Sequence, residues 1–209
     1  MVRQMTPRLL ALLALAVAAL GCASSRPTEP TPDGARERAI FEEILDALGR
    51  KGGAAGLDVD VLDRQNARFA EVVAWHEAGE LTSAAQRFWA GAALVRSDEP
   101  EHLVLAEALG HAAAAQGERR GRLVEAEARD RMALILGEAQ PYGTQMVYEP
   151  LLGRWRLYAV DPKTTDEERR AMGLPSLEEL RARAAARNDT ELTQRLRDEL
   201  IRPSGLTRR

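Results

Sequence analysis

Residues 100–136, PEHLVLAEALGHAAAAQGERRGRLVEAEARDRMALIL, decide the fold class of this chain. Alanine, leucine, glutamate and arginine dominate the stretch, and these residues have high helix propensity. Gly117 and Gly137 each follow a long run of them, at the position where glycine commonly ends a helix. The stretch therefore predicts two helices, 100–116 and 118–136, and the short connection makes them antiparallel neighbours.

Helical patterns continue on both sides of this pair. Apolar residues recur at helical spacing in 36–48 and 58–78. Capping boxes, in which a serine or threonine precedes a glutamate or glutamine by three positions, begin at Ser83, Thr165 and Ser176. The remaining predicted helices are 83–96, 165–173, 176–187 and 188–201, the last capped by Asn188. The many alanines favour close packing of the tetratricopeptide kind, although no repeat recurs at a fixed period.

A different pattern occupies residues 143–160. Apolar and polar residues alternate in 145–149 and again in 154–160, which predicts a small β-hairpin. The alternation puts Trp155 and Leu157, with the later Ala159, on one face. The other face carries Arg154, Arg156 and Tyr158.

The predicted fold class is thus mostly α, with antiparallel helical hairpins, one small β-hairpin and C-terminal helices. It forms a single domain over 36–201, followed by a flexible tail at 202–209.

The first 21 residues have the three parts of an export signal. Two arginines are followed by the apolar run 9–20, LLALLALAVAAL, and then by small residues. A membrane-spanning helix needs about 20 apolar residues, so this run is too short to be one. The sequence Ala19-Leu20-Gly21-Cys22 resembles the lipobox of bacterial lipoproteins. The alternative is an ordinary cleaved signal that happens to contain a cysteine.

The lipoprotein resemblance implies a location in the bacterial cell envelope. Cys22 is the only cysteine, so it has no partner for a disulfide within the chain. The resemblance implies that its thiol carries a diacylglyceryl group after cleavage of 1–21. Acylation with two or more chains is enough for stable anchoring. Residues 22–35 contain three prolines and predict an extended tether. Ala23 and Ser24 follow the cysteine, and the absence of aspartate there implies, by the same resemblance, sorting to the outer membrane, facing the periplasm.

Charge and length limit the classes of function. The chain has a net charge of −3, and loss of 1–21, with its two arginines, leaves 27 basic against 32 acidic side chains. This mild acidity, without a basic stripe, argues against a nucleic-acid partner. The remaining 188 residues suffice for one domain with a sizeable core. The expected partners are therefore the membrane, through the lipid, and an unidentified protein.

One group of motifs resembles an uncharacterised family of bacterial proteins. The motifs are Tyr142-Gly143-Thr144-Gln145, with Asp130-Arg131 before it and Arg169-Arg170-x-x-Gly173-Leu174-Pro175 after it. The resemblance extends over 81–183, about half of the chain that follows the signal. No activity is known for the family, so the resemblance implies an architecture and candidate positions only.

Familiar catalytic and metal-binding motifs are missing from the sequence. His76-Glu77 starts like a zinc-protease motif, but position 80 is Glu80, so the second histidine ligand is absent. His102 and His111 are nine residues apart and face different sides of one predicted helix. The sequence contains no glycine-rich phosphate loop and no Gly-x-Ser-x-Gly elbow. We therefore predict neither a metal nor a cofactor.

Polar residues in and after helix 118–136 are the candidate site. Glu127 and Arg131 lie four residues apart within its apolar arc, which predicts an ion pair. A second interpretation is that Arg131 binds carbonyls of the turn at 140–145 and fastens the hairpin to the helices. A third is a pocket that binds a ligand or performs chemistry. Its residues would be Asp130, Arg131, Gln140, Tyr142 and Gln145.

Two functional hypotheses follow. The leading one is a non-enzymatic interaction or structural module that uses the groove of its paired helices, an inference from fold analogy. The alternative is a hydrolase whose site is lined by Asp130, Arg131, Tyr142 and Gln145. A water-filled cleft at Asp130 and Arg131 would favour the enzyme. Engagement of both side chains by backbone groups would favour the structural role.

Overall fold

The computed structural model describes residues 33–51, 59–149 and 151–190. These form a mostly α fold with one small antiparallel sheet, which confirms the predicted fold class. The helices are α1 (Ala35–Lys51), α2 (Val59–Glu77), α3 (Ala84–Leu94), α4 (Pro100–Ala115), α5 (Gly121–Ile135), α6 (Asp166–Ala171) and α7 (Leu177–Ala186). The strands are β1 (Met146–Glu149) and β2 (Arg154–Leu157), and a 3-10 turn follows α7 at Arg187–Asp189.

Several predicted features lie outside the described residues. They are the export signal, the lipid-bearing Cys22, most of the tether, the greater part of the predicted last helix and the tail. At the boundary of the tether the structure corrects the prediction. Ser83 Oγ donates a hydrogen bond to the carboxylate of Asp33, and α1 begins at Ala35. Asp33 therefore belongs to the folded domain and not to the tether.

The three predicted capping boxes all form. In each, the hydroxyl accepts from the backbone N–H three residues later, and the side chain there accepts from the backbone of the cap. By contrast, α5 begins three residues later than predicted. The reason is a tight turn in which the Glu118 carboxylate accepts hydrogen bonds from the backbone N–H and guanidinium of Arg120.

Helices α3, α4 and α5 form the centre of the core, with α1 and α2 packed beside them. Leu94, Leu103 and Val124 are buried there among many alanines. Gly110 of α4 and Gly121 of α5 lie at backbone contact, since a methyl group on Gly121 would overlap the carbonyl oxygen of Gly110. The close helix approach that the sequence predicts is therefore present, and between α4 and α5 it is made at two glycines. Within the described residues, none of the helices is both long and apolar enough to cross a bilayer.

The β-hairpin packs on α7 through the face that carries Leu157. This side chain lies against Leu180 and Ala184, whereas Arg154 and Arg156 on the other face are exposed. Trp155 shares the Leu157 face and contacts the ring of Tyr148. Ala159, predicted to lie on the same face, is exposed because the strand ends at Leu157.

Asn188 joins the end of α7 to the hairpin. Its side-chain oxygen accepts a hydrogen bond of 2.6 Å from the backbone N–H of Trp155. The last helix that Asn188 is predicted to cap lies mostly outside the described residues, so this role stays a prediction. The partly exposed Tyr158, at 36%, remains the accessible aromatic residue just after β2.

Candidate functional site

Asp130, near the end of α5, is the centre of the candidate site. Its side chain is fully buried. One oxygen accepts a hydrogen bond of 2.7 Å from the backbone N–H of Tyr142, and the other accepts 2.7 Å bonds from the backbone N–H and the hydroxyl of Thr144. The carboxylate therefore binds the Tyr-Gly-Thr turn directly, and protein donors surround it.

Burial and hydrogen bonding act on the Asp130 carboxyl in opposite directions. Loss of water disfavours the charged form and raises its pKa above the ordinary value. The backbone N–H groups of Thr144 and Tyr142 favour the charged form and lower the pKa, and they offset part of the effect of burial. Buried polar groups need such partners. Here the folded turn itself supplies them.

Gln140 continues the same network towards the hairpin. Its buried amide donates to the carbonyl oxygens of Gln145 (2.9 Å) and Tyr158 (3.2 Å), and its oxygen accepts from the backbone N–H of Gln145 (2.8 Å). The Gln145 amide in turn donates to the hydroxyl of Thr144 at 2.9 Å. We call Asp130, Gln140, Tyr142, Thr144 and Gln145 the Asp130 network. Four of the five predicted cluster residues belong to it.

Arg131 does not join the Asp130 network. It donates to the carbonyl oxygen of Ser97 at 3.0 Å and pairs with Asp98 at 2.6 Å, in the connection between α3 and α4. One residue is a rotation of about 100° around a helix, so Asp130 and Arg131 point to different neighbours. The predicted fastening of the turn by Arg131 is therefore wrong. Asp130 fastens it, because the turn presents N–H groups to the helix.

The predicted ion pair within the apolar arc of α5 is also wrong. Glu127 pairs with Arg96 of the preceding helix connection at 2.8 Å, and not with Arg131. Burial raises the pKa of Glu127, while the charges of Arg96 and Arg131 lower it. The two arginines thus share the neutralisation of one half-buried carboxylate, although only Arg96 contacts it as an ion pair.

Arg169 is a central residue that belongs to the quoted family motif but was not predicted to be part of the candidate site. It is 2% exposed. Its guanidinium donates to the carbonyl oxygens of Tyr142 (3.1 Å) and Thr164 (2.9 Å) and to Asp166 (3.1 Å). Arg169 thereby holds α6 against the turn that Asp130 binds from the other side. An Asp-x-x-Arg pair in the first turn after a capping box is the sequence signal that points to it.

Tyr142 links these elements through three different groups. Its N–H contacts Asp130, its carbonyl oxygen contacts Arg169, and its hydroxyl accepts from Arg129 at 3.0 Å. The ring packs beside the buried Met172 and Leu174. The backbone N–H and carbonyl oxygen of Tyr142 are thus both engaged within the protein, and the hydroxyl of this partly exposed residue accepts from Arg129.

The histidines do not assemble a second site in the described part of the chain. Ser97 Oγ lies 2.8 Å from His102 Nδ1, but the same hydroxyl accepts from the backbone N–H of Glu99, as in a turn. His76 and His111 are exposed. Among the described residues, no three histidine, cysteine or acidic side chains are grouped so that they could hold a metal ion.

Comparison of the chain with protein-family models, with curated proteins and with solved structures gave no match. The resemblance to the Tyr-Gly-Thr-Gln family therefore stays a prediction. The functional proposal rests on the geometry of the Asp130 network and not on similarity to a known protein.

Proposed function

We propose that this chain is a lipid-anchored protein of the bacterial cell envelope whose helical domain acts by binding other molecules rather than by catalysis. The observation that carries the proposal is the state of Asp130. A general acid, base or nucleophile must reach its substrate within hydrogen-bond distance. Asp130 is fully buried, and both of its oxygens are engaged by Tyr142 and Thr144.

The same observation weighs against the hydrolase hypothesis. Of its four candidate residues, Asp130 binds the backbone N–H of Tyr142, and the Tyr142 hydroxyl accepts from Arg129. Gln145 is bonded to Thr144 and Gln140. Arg131 lies outside the Asp130 network, at the α3–α4 connection. The motif that resembles the bacterial family thus has a sufficient structural role, which is to attach the hairpin and α6 to α5.

The proposed location in the envelope rests on Cys22 and on the predicted export signal at residues 1–21, which we call the leader. A tether of residues 23–32, with its three prolines, spans up to about 30 Å at roughly 3.1 Å per residue. That reach lets the folded domain contact partners close to the membrane surface. A protein held at a surface needs only modest affinity for such a partner, because anchoring raises the effective concentration.

Metabolic labelling with an alkyne fatty acid tests the anchor. We expect label on the wild-type protein and its recovery with the outer membrane, because the thiol of Cys22 is the predicted site of acylation. The Cys22→Ser variant should carry no label and keep its leader. Arg209→Ser, at the other end of the chain, is the control and should be labelled like the wild type. An unlabelled wild-type protein with its leader still attached would contradict the proposal.

A further inference from the structure

A cleft outside the Asp130 network has the composition of an anion site. It has a volume of about 380 Å³ and lies between the α4–α5 connection and the end of α6. It is lined by Ala114, Arg119, Arg122, Arg170, Ala171 and Gly173, and we call it the arginine cleft. Three of its six lining residues are arginines and none is acidic, in a chain whose net charge is negative.

The charges of the arginine cleft are poorly compensated within the described residues. There, neither Arg119 nor Arg122 forms a side-chain ion pair or hydrogen bond. Arg170 has a loose pair with Glu167, at 3.8 Å between two exposed side chains. The neighbouring Arg120 differs, because Glu118 binds it at 2.7 Å and it stacks on the ring of Phe88. Arg120 is therefore neutralised although it is exposed, whereas Arg119 and Arg122 beside the cleft are not.

The position of these arginines in the fold strengthens the contrast. Arg119 precedes α5 and Arg122 lies in its first turn, at the positive end of the helix dipole. Acidic residues are favoured there, but the first turn of α5 contains none and its cap makes no side-chain hydrogen bond. An anion in the cleft would relieve the repulsion between Arg119, Arg122 and the dipole.

The other wall of the cleft is held in place by the interactions already described. Arg169 ties α6 to the turn bound by Asp130, and Met172 and Leu174 pack against Ala126 of α5. Gly173, with φ of +73°, lets the chain turn back at the cleft edge, and the space where its side chain would be is open. The cleft is therefore a fixed feature between two packed elements.

We propose that the arginine cleft binds a phosphate group, from either a soluble phosphoester or an anionic lipid headgroup. The planar guanidinium matches the paired oxygens of phosphate, and several arginines together strengthen the attraction for a negatively charged group. A volume of about 380 Å³ accommodates a headgroup-sized molecule and is at the small end for binding pockets. The inference does not depend on acylation of Cys22.

The test uses the full chain in a nonionic detergent, with glycerol 3-phosphate titrated by calorimetry. We expect the double variant Arg119→Gln/Arg122→Gln to bind at least about tenfold more weakly than the wild type. Arg64→Gln/Arg181→Gln removes the same charge from exposed sites elsewhere and should bind like the wild type. Arg170→Gln, on the opposite wall, should also weaken binding, and it keeps the test decisive if the double variant misfolds.

A second arm separates the two sources of phosphate. Short-chain phosphatidylglycerol or phosphatidylcholine is added to the micelles at equal mole fraction, and the melting temperature is measured. A rise with phosphatidylglycerol that is lost in Arg119→Gln/Arg122→Gln supports the proposal with a lipid headgroup as ligand. Binding of glycerol 3-phosphate alone supports it with a soluble phosphoester. Response to neither ligand, or equal weakening in Arg64→Gln/Arg181→Gln, would overturn it.

Discussion

Replacement of Asp130 by asparagine should lower the free energy of unfolding by about 3 kcal/mol, although the two side chains have nearly the same shape. Asparagine has one acceptor oxygen, whereas Asp130 accepts three hydrogen bonds with two oxygens. In the variant, an NH₂ group would face the backbone N–H of either Tyr142 or Thr144. One buried donor then has no acceptor, and the charge-assisted bonds are lost as well.

Chemical denaturation measures this loss, with Asp98→Asn as the matched control. Asp98 also accepts from an arginine, at 2.6 Å, but its side chain is 97% exposed. Exposed ion pairs contribute little, so this control should change stability by less than about 1 kcal/mol. If Asp130→Asn were as mild as Asp98→Asn, the hydrogen bonds of Asp130 would not hold the turn.

Gly121→Ala should also destabilise the protein, by about 3 kcal/mol. Alanine normally stabilises a helix relative to glycine, by about 0.5–1 kcal/mol, so the expected sign is opposite to that of helix propensity. The cause is the contact between α4 and α5. A methyl group on Gly121 would overlap the carbonyl oxygen of Gly110 and lie 2.8 Å from the backbone N of Ala114. Backbone atoms cannot move aside as a flexible side chain can.

Gly79→Ala provides the comparison for Gly121→Ala in thermal unfolding. Gly79 has φ of +71° and no atom within 4 Å of an added methyl group, so only the left-handed backbone conformation is penalised. That penalty is about 1–2 kcal/mol. Gly121→Ala should therefore lower the melting temperature further than Gly79→Ala. A stabilised Gly121→Ala protein would show that α4 and α5 are not at backbone contact.

Local signals in the sequence predicted most of the fold. The capping boxes at Ser83, Thr165 and Ser176 formed as predicted, because each depends on residues only three positions apart. The hairpin and the inward face of Leu157 followed from alternation. The start of α5 was predicted at 118 and not at Gly121, because helix propensity does not reveal that the Glu118 side chain binds Arg120.

The candidate site was harder to predict because its contacts join distant segments. Asp130, Gln140, Tyr142 and Gln145 do belong to one network, but the sequence did not show that Asp130 would bind backbone N–H groups. Arg131 was placed with them because it follows Asp130 in the chain, whereas helix geometry turns it towards Ser97. The role of Arg169 was not predicted, although the residue belongs to the family motif, because its acceptors are mostly carbonyl oxygens and any residue type can supply those.

Amide hydrogen exchange at Tyr142 and Thr144 tests most directly whether the Tyr-Gly-Thr turn is a closed structural element. Both N–H groups donate to the buried carboxylate of Asp130 at 2.7 Å. We expect them to exchange only through global unfolding, as slowly as the core amides of α5. Exchange of both amides at the rate of an unstructured peptide, while α5 stays protected, would contradict the account and make the Asp130 network an open site.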